Sequence, residues 1–388
     1  MSEVDLVKTE ALAFLESHYV KKILSVWCGR GYNRELQLAF EAVSSDTLDP
    51  ITPVRYRAMA CARQLFVFAL AGQIEHAASL FKSLRDRFED KRYGGWIYGI
   101  DAQGNPSDRR KDLYTHAFVI FSTAEYARLS GDKEALSIVT NTSELILREF
   151  KVAGADSCLL NSLMSEDFSI TLEGPLQNPM MHLTEAWLKA GAITKDRLYD
   201  RRLMDLVQAV AESFVHEPTG CIAEFPIGAP NNRIEPGHQF EWYAFAYESG
   251  HSAFEVSGLR GALTKAFDFA RLNGVDPTTS GVYAAIDKNG RVLDSTQRIW
   301  AQTEYLRALA AHEVETIRGS VQQVMEFFRA RFLHEKGWFE CLSREGVVIR
   351  SDMPSTTPYH LATALSSLVS RGGPVKASFG DSTNIGQI

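Results

Sequence analysis

Cysteine is scarce in this sequence: five residues, Cys28, Cys61, Cys158, Cys221 and Cys341, odd in number and without a CxxC pair. Such spacing offers neither a disulfide framework nor a zinc knuckle, so all five are expected to be reduced structural thiols. No apolar run reaches the ~18 residues that a membrane-spanning helix needs. The start, MSEVDLVKTEALAF, is acidic and amphipathic rather than a basic stretch followed by an apolar one. A cytoplasmic location without membrane association is the expectation. Basic charge is not in surplus either, with 41 Lys and Arg against 48 Asp and Glu and a formal net charge of −7. Nucleic-acid partners usually meet a basic face, and none is visible here. A P-loop, a dinucleotide GxGxxG and a GxSxG elbow are all missing, which leaves phosphoryl transfer, hydride transfer and serine hydrolysis without support. No linker rich in Pro, Gly or Ser interrupts the chain, so residues 1–388 are expected to form a single domain.

Apolar residues make up 45% of the 388, enough for a sizeable core, and a recurrence organises them. Four segments repeat one plan: Gly, an apolar or aromatic alternation, a turn, then a helix. They begin at Gly94 (GGWIYGIDAQGNPSDRRKDLYTHAF), Cys221 (CIAEFPIGAPNNRIEPGHQFEW), Gly281 (GVYAAIDKNGRVLDSTQRIWAQTEYL) and Gly337 (GWFECLSREGVVIRSDMPSTTPYHLA). In three of them Gly104, the Asn289-Gly290 pair or Gly346 splits two short extended runs, as a tight hairpin requires. A fifth segment from Cys158 fits loosely.

Each extended piece feeds a helix of apolar and small residues, such as LYTHAFVIFSTAEYARL or YHLATALSSLV, which reads as buried on most sides. Between these lie amphipathic helices with one charged face, for example KEALSIVTNTSELILREF. Roughly twelve helices result, alternately charged and buried, with a period of about 60 residues. Open superhelices of helix pairs use shorter repeats. The expected architecture is therefore all-α: an (α/α)6 barrel of six helical hairpins, with short β-hairpins in the loops at one end. Polar residues at or near the starts of the buried helices, namely Arg55, Tyr114, His182, His238, Arg298 and His360, would converge there on one pocket.

A lone histidine on a helix is usually a satisfied polar residue, but His182, His238 and His360 fall at matching points of the repeat. Imidazole suits proton transfer near neutral pH. His182 with Glu185 and His238 with Glu241 form HxxE pairs, in which residues three apart share a helix face. Each carboxylate is expected to orient or charge-stabilise its imidazole, although Glu185 also reads as an ordinary packing pair. A metal reading is disfavoured, because the spacing is not HExxH and no cysteine accompanies it. Arg55, Arg57 and Arg298 are candidates for holding hydroxyls or a developing oxyanion. Tyr114, Trp242 and Trp300 would wall the pocket or belong to the core.

In RIEPGHQFEW (233–242), NPMMHLTEAW (178–187) and TPYHLATA (357–364), the chain resembles the N-acylglucosamine 2-epimerase superfamily, which includes mannose isomerases, sulfoquinovose isomerases and cellobiose 2-epimerases. The resemblance spans nearly the whole chain and is carried most specifically by PGHxxEW. It implies an (α/α)6 barrel in which His238 and His360 are the general acid/base pair. It also implies that Arg55, Tyr114, Asn178, His182, Glu241 and Trp300 contact or orient substrate. The implied chemistry removes the C2 proton of an opened sugar to give an enediolate. Reprotonation at C1 makes a ketose, and reprotonation on the other face of C2 makes an epimer. The EPGHQFEW wording is most similar to the mannose isomerase branch, so isomerisation of mannose and fructose is expected, with no cofactor and no metal. One branch is linked to a nucleotide activator, for which no phosphate-binding loop is visible. A sulfonated sugar would call for a further cation such as Arg233 or Arg55. The expected partner is a monosaccharide, and the expected state is a monomer or homodimer. Two readings from other classes remain: a glycoside hydrolase using Glu241 and Glu304, and a non-catalytic sugar-binding protein.

Overall fold

The computed structural model describes residues 3–371; the ends of the single domain expected over 1–388 lie outside the described residues. Twelve helices of at least 12 residues run through it. They are α1 (Glu3–His18), α2 (Ala58–Leu70), α3 (Ile74–Phe88), α4 (Leu113–Ser130), α5 (Lys133–Glu149) and α6 (Gln177–Thr194). The remainder are α7 (Leu198–Phe214), α8 (Pro236–Ser249), α9 (Leu259–Gly274), α10 (Ile299–Ala311), α11 (Val321–Phe332) and α12 (Thr357–Arg371). Shorter helical turns lie between some of them.

The alternation read from the sequence sorts these helices into two rings. Helix α4 is buried almost without a break from Leu113 to Ala127, because its small and apolar residues occupy every face. In α5 burial is confined to Ala135, Val139, Thr142, Ser143, Leu145 and Ile146, one stripe at helical spacing. Accordingly α2, α4, α6, α8, α10 and α12 pack side by side and close on themselves through α12 against α2, while the odd-numbered helices lie outside. The result is an (α/α)6 barrel. One continuous core runs from Leu15 to Leu368 and encloses Trp27, Trp187, Trp242 and Trp338.

Sequence chemistry fixes the helix ends. The Asp112 carboxylate caps α4 by accepting from the Thr115 amide, and Gly131 ends that helix in the left-handed region. Helix α8 starts on Pro236 at its first turn, where the missing N–H costs nothing, and stops at Gly250 with φ 58°.

Before the inner helices the chain forms two- and three-stranded sheets, none larger among the described residues. Gly104, Gly290 and Gly346, at φ between 84° and 90°, turn three of the hairpins. The looser segment turns on Phe168 at φ 62°, a non-glycine in the same role. Several strands stitch one repeat to another: Arg55–Arg57 pairs with Gly99–Asp101, and Met353–Pro354 pairs with Ala42–Val43, joining the last repeat to the first. All five cysteines are free thiols. Among the described residues no helix is long and apolar enough to cross a membrane.

Candidate active site

The sheets surround a cavity of about 550 Å³ that opens at the end of the barrel where the inner helices begin. Its lining includes Arg63, Tyr114, Asn178, His182, His238, Glu241, Trp300 and His360, drawn from all six inner helices. Of the residues named from sequence, the cavity thus brings together both proposed acid/base histidines and every proposed substrate contact except Arg55.

Arg55 is a correction. It lies exposed in the strand before α2, its guanidinium 5.6 Å from the Tyr98 ring, and does not line the cavity. Arg57 is held by Glu41, with its Nη2 2.6 Å from Oε2. The guanidinium that reaches the site is Arg63, the sixth residue of α2, hydrogen-bonded to the Tyr114 hydroxyl and stacked 4.2 Å from the Phe118 ring centre. His182 is likewise sixth in its helix, so depth along the helix, rather than nearness to its start, was the missing signal.

His238 and His360 are built alike. The Nδ1–H of His238 donates to Glu224 Oε1 at 2.8 Å, and Glu235 stands 3.7 Å away. Gln177 completes this support: its carbonyl accepts from the Trp242 indole at 2.8 Å, which turns its amide N–H toward Glu224 Oε1 at 3.1 Å. Burial alone would lower the His238 pKa, but the Glu224 and Glu235 carboxylates outweigh it and raise the imidazole above its ordinary value. On the other side, His360 Nδ1 lies 2.7 Å from Glu304 Oε1. Burial and the Arg63 charge push His360 well below its ordinary value, while burial pushes the Glu304 carboxyl up to about 8 against the pull of Arg307. Between the two imidazoles sits Trp300, its ring centre 4.9 Å from His238 and 5.7 Å from His360.

The HxxE reading needs revision at His238. Glu241 does not hold that ring; one turn deeper, its Oε1 lies 3.9 Å from His182 Nδ1. Among the described residues neither Glu241 oxygen has a hydrogen-bond partner, and burial with Glu304 and Glu185 nearby raises this carboxyl well above its usual range. Within the first pair the sequence reading fits: Glu185 Oε2 lies 3.5 Å from His182 Nδ1 and also accepts from the Tyr359 hydroxyl. Burial takes His182 down to about 4, a neutral ring at ordinary pH. Asn178 lines the cavity, and its buried Oδ1 has no hydrogen-bond partner among the described residues. Trp242 serves as core and as the anchor of Gln177. Glu224, Glu235, Gln177 and Arg63 went unnoticed in the sequence. Glu224 and Glu235 lie in the loop before α8 rather than on it, beyond the reach of a helix-spacing argument.

Three His and Glu groups bring potential metal donors within 4.8 Å of one another: His182–Glu185–Glu241, Glu224–Glu235–His238 and Glu241–Glu304–His360. Glu304 does not line the cavity, so Glu241 and Glu304 do not flank a bound sugar as a hydrolase pair would.

Gly237 shows how tightly the site is built. A Cβ there would stand 2.7 Å from the Trp300 ring and 2.8 Å from Ala301 Cβ. Gly237→Ala is expected to displace Trp300 from between the histidines, cutting kcat/KM by about 10²-fold while destabilising the fold by about 1–3 kcal/mol. Gly261→Ala, in open space on α9, should leave turnover unchanged. Assay and thermal melting of both variants check this, and unchanged turnover in Gly237→Ala would refute the tight placement of Trp300.

The barrel thus holds an axial cavity walled by one indole and furnished with two carboxylate-backed imidazoles, side chains able to exchange protons near neutral pH. Residues 47–364 match N-acylglucosamine 2-epimerase (GlcNAc 2-epimerase), and the chain belongs to that family of sugar epimerases and isomerases. It is 27% identical over 367 residues to a mannose-6-phosphate isomerase of Rhizobium meliloti, covering 87% of this chain and 89% of that protein. To a cellobiose 2-epimerase of Dictyoglomus turgidum it is 24% identical, covering 74% and 78% of the two chains. Among solved structures, a D-mannose isomerase superposes with a TM-score of 0.80 at 21% identity over 92% of this chain and 97% of that one. A cellobiose 2-epimerase from Bacillus thermoamylovorans gives 0.81 at 18% identity, over 93% and 99%.

Proposed function

We propose that the chain is a single catalytic unit that interconverts D-mannose and D-fructose through a cis-enediolate, with His238 and His360 as the acid/base pair. One observation carries this reading: two cavity-lining imidazoles, each with Nδ1 committed to a carboxylate, are poised in opposite senses. The Glu224 and Glu235 carboxylates favour the protonated form of His238, which suits it to be the donor. His360, lowered, rests uncharged and is the acceptor. In the working form Glu304 is ionised, His360 carries its proton on Nδ1, and the Nε2 lone pair takes the C2 proton of the opened sugar. His238 donates to the sugar oxygen on which charge develops, with Arg63 as a fixed positive neighbour. Return of the proton to C1, with the O2 proton passing back to His238 as the C2 carbonyl forms, completes the ketose. Tyr114, Asn178, His182, Glu241 and Trp300 shape and hydrogen-bond the sugar, and Arg63 takes the role first given to Arg55.

The electrostatics give this reading a pH dependence. Ionisation of Glu304 at about 8 leaves the pair with a single proton, on His360 Nδ1, so turnover rises with pH through that range. It falls again where His238 gives up its proton.

Names among the relatives support mannose isomerisation and cellobiose 2-epimerisation alike, and the product decides between them. Purified protein incubated with mannose is expected to yield fructose, with no comparable turnover of cellobiose. Glucose from mannose, or an epimerised disaccharide, would move the chain to the epimerases; no change in either sugar would make it a binder. The Nδ1 of His238 and that of His360 are each taken up by a carboxylate, Glu224 at 2.8 Å and Glu304 at 2.7 Å, so full activity is expected after exhaustive chelation. Loss restored by one divalent ion would contradict that.

A further inference from the structure

Beneath the cavity and absent from its lining, Arg307 of α10 sits among three carboxylates of the barrel's interior, Glu248, Glu304 and Glu185. Its Nε and Nη2 fork onto Glu248 of α8, at 3.0 and 2.7 Å from Oε2. Among the described residues Nη1 makes no hydrogen bond; it lies 3.6 Å from Glu304 Oε2 and 3.8 Å from Glu185 Oε1. Those two glutamates are the ones that meet the rings of His360 and His182. Glu248 in turn accepts from the Ser367 hydroxyl of α12, and the Phe245 ring covers the guanidinium at 5.0 Å. Arg307 is itself only 8% exposed.

A guanidinium so deeply buried is costly unless its charge is used. Glu248 alone would neutralise it, yet one arm is left aimed between the carboxylates behind two cavity histidines. We propose that Arg307 is a positioning residue that holds the Glu304 carboxylate ionised behind His360 and so keeps His360 in the tautomer that accepts a proton at Nε2. This rests on His360 acting as the base. The charges facing the His360–Glu304 pair come from four of the six inner helices: Arg63 on α2, His182 and Glu185 on α6, Glu241 and Glu248 on α8, and Arg307 on α10 with Arg298 just before it; α12 adds the Tyr359 hydroxyl. Of these, Arg307 is the cation nearest the Glu304 oxygen turned away from the imidazole. Without it Glu304 keeps its proton, donates it to Nδ1, and leaves His360 as the Nε2–H tautomer with no lone pair toward the sugar.

Arg307→Met preserves the aliphatic stem and removes the charge. The acid limb of kcat is expected to move up by at least about one pH unit, with KM little changed because Arg307 does not line the cavity. Arg307→Lys should restore the limb in part. Glu248→Gln frees the Arg307 charge for Glu304 and should move the limb down instead, a reversal that general damage to the fold would not produce. Imidazole ¹⁵N shifts of the resting protein, with His360 assigned through His360→Gln, give a readout independent of turnover. At neutral to mildly alkaline pH they should show more Nε2–H at His360 in Arg307→Met than in the parent. If neither the limb nor the tautomer moves, or both charge variants lose activity equally at every pH, the proposal is wrong. If the tautomer moves while the parent converts no sugar, the positioning role stands and the isomerase reading falls.

Discussion

His238→Ala and His360→Ala should each lower kcat for mannose by ~10²–10⁴-fold, the range lost when a positioned acid or base is removed. Sugar binding should be largely kept, because Arg63, Tyr114, Asn178 and Trp300 still line the cavity. The double variant should be little worse than either single one, since groups acting in one step are not additive. The opposite poising of the rings adds an asymmetry. With His360 intact, the His238 variant retains a base and should still exchange the C2 proton of whatever open-chain sugar reaches it. Deuterium from solvent would then enter mannose without fructose appearing. The His360 variant should do neither. Mass spectrometry of recovered mannose, alongside fructose assay, separates the two. Near-parental isomerisation by either single variant would remove that residue from the mechanism.

The barrel was legible in the sequence because its two rings differ in burial, and burial writes itself into helical periodicity. Asn289-Gly290 announced its hairpin through backbone chemistry alone. Phe168 did not, since nothing in a phenylalanine side chain advertises a left-handed turn. The site was legible only where chemistry and helix position coincide, as at His182, His238 and His360. Arg55 attracted notice by standing before an inner helix, but a residue in the preceding strand lies at the rim, and the arginine that enters the barrel is one and a half turns into α2. The pairing of His238 with Glu241 failed for a related reason. Helix spacing states which residues share a face, but across a closed ring the nearest carboxylate comes from another element. Glu224 reaches His238 from a loop, Glu304 reaches His360 from α10, and Glu241 is left to face His182. No single-helix pattern contains those distances.

Glu304→Gln should be the most damaging change outside the histidines themselves. Glu304 Oε1 lies 2.7 Å from His360 Nδ1, and in the proposed reaction it holds the ring and supplies the negative charge that would stabilise it on taking up a proton. A glutamine keeps the shape and loses the charge. If its carbonyl faces Nδ1–H, the tautomer is right but the imidazolium has no counter-charge, in a pocket that already holds His360 far below its ordinary value. If its amide faces Nδ1, the ring is forced into the Nε2–H tautomer and has no base to offer. Either orientation is expected to reduce kcat by ~10³–10⁴-fold, as loss of an orienting carboxylate behind a catalytic histidine does elsewhere. The rise of activity near pH 8 should disappear with the group that causes it. Stability should move the other way. Glu304 is fully buried and shares the barrel floor with Glu241 and Glu185, and among the described residues its Oε2 makes no hydrogen bond, with Arg307 Nη1 3.6 Å away. A neutral amide relieves that repulsion, so the melting temperature should equal or exceed the parent's, the trade expected where function holds a charge the fold would rather lose. Circular dichroism melts and a pH–rate profile of the one variant test both halves. A melting temperature that falls together with activity would make Glu304 a structural residue, and turnover within tenfold of the parent would leave His360 working without it.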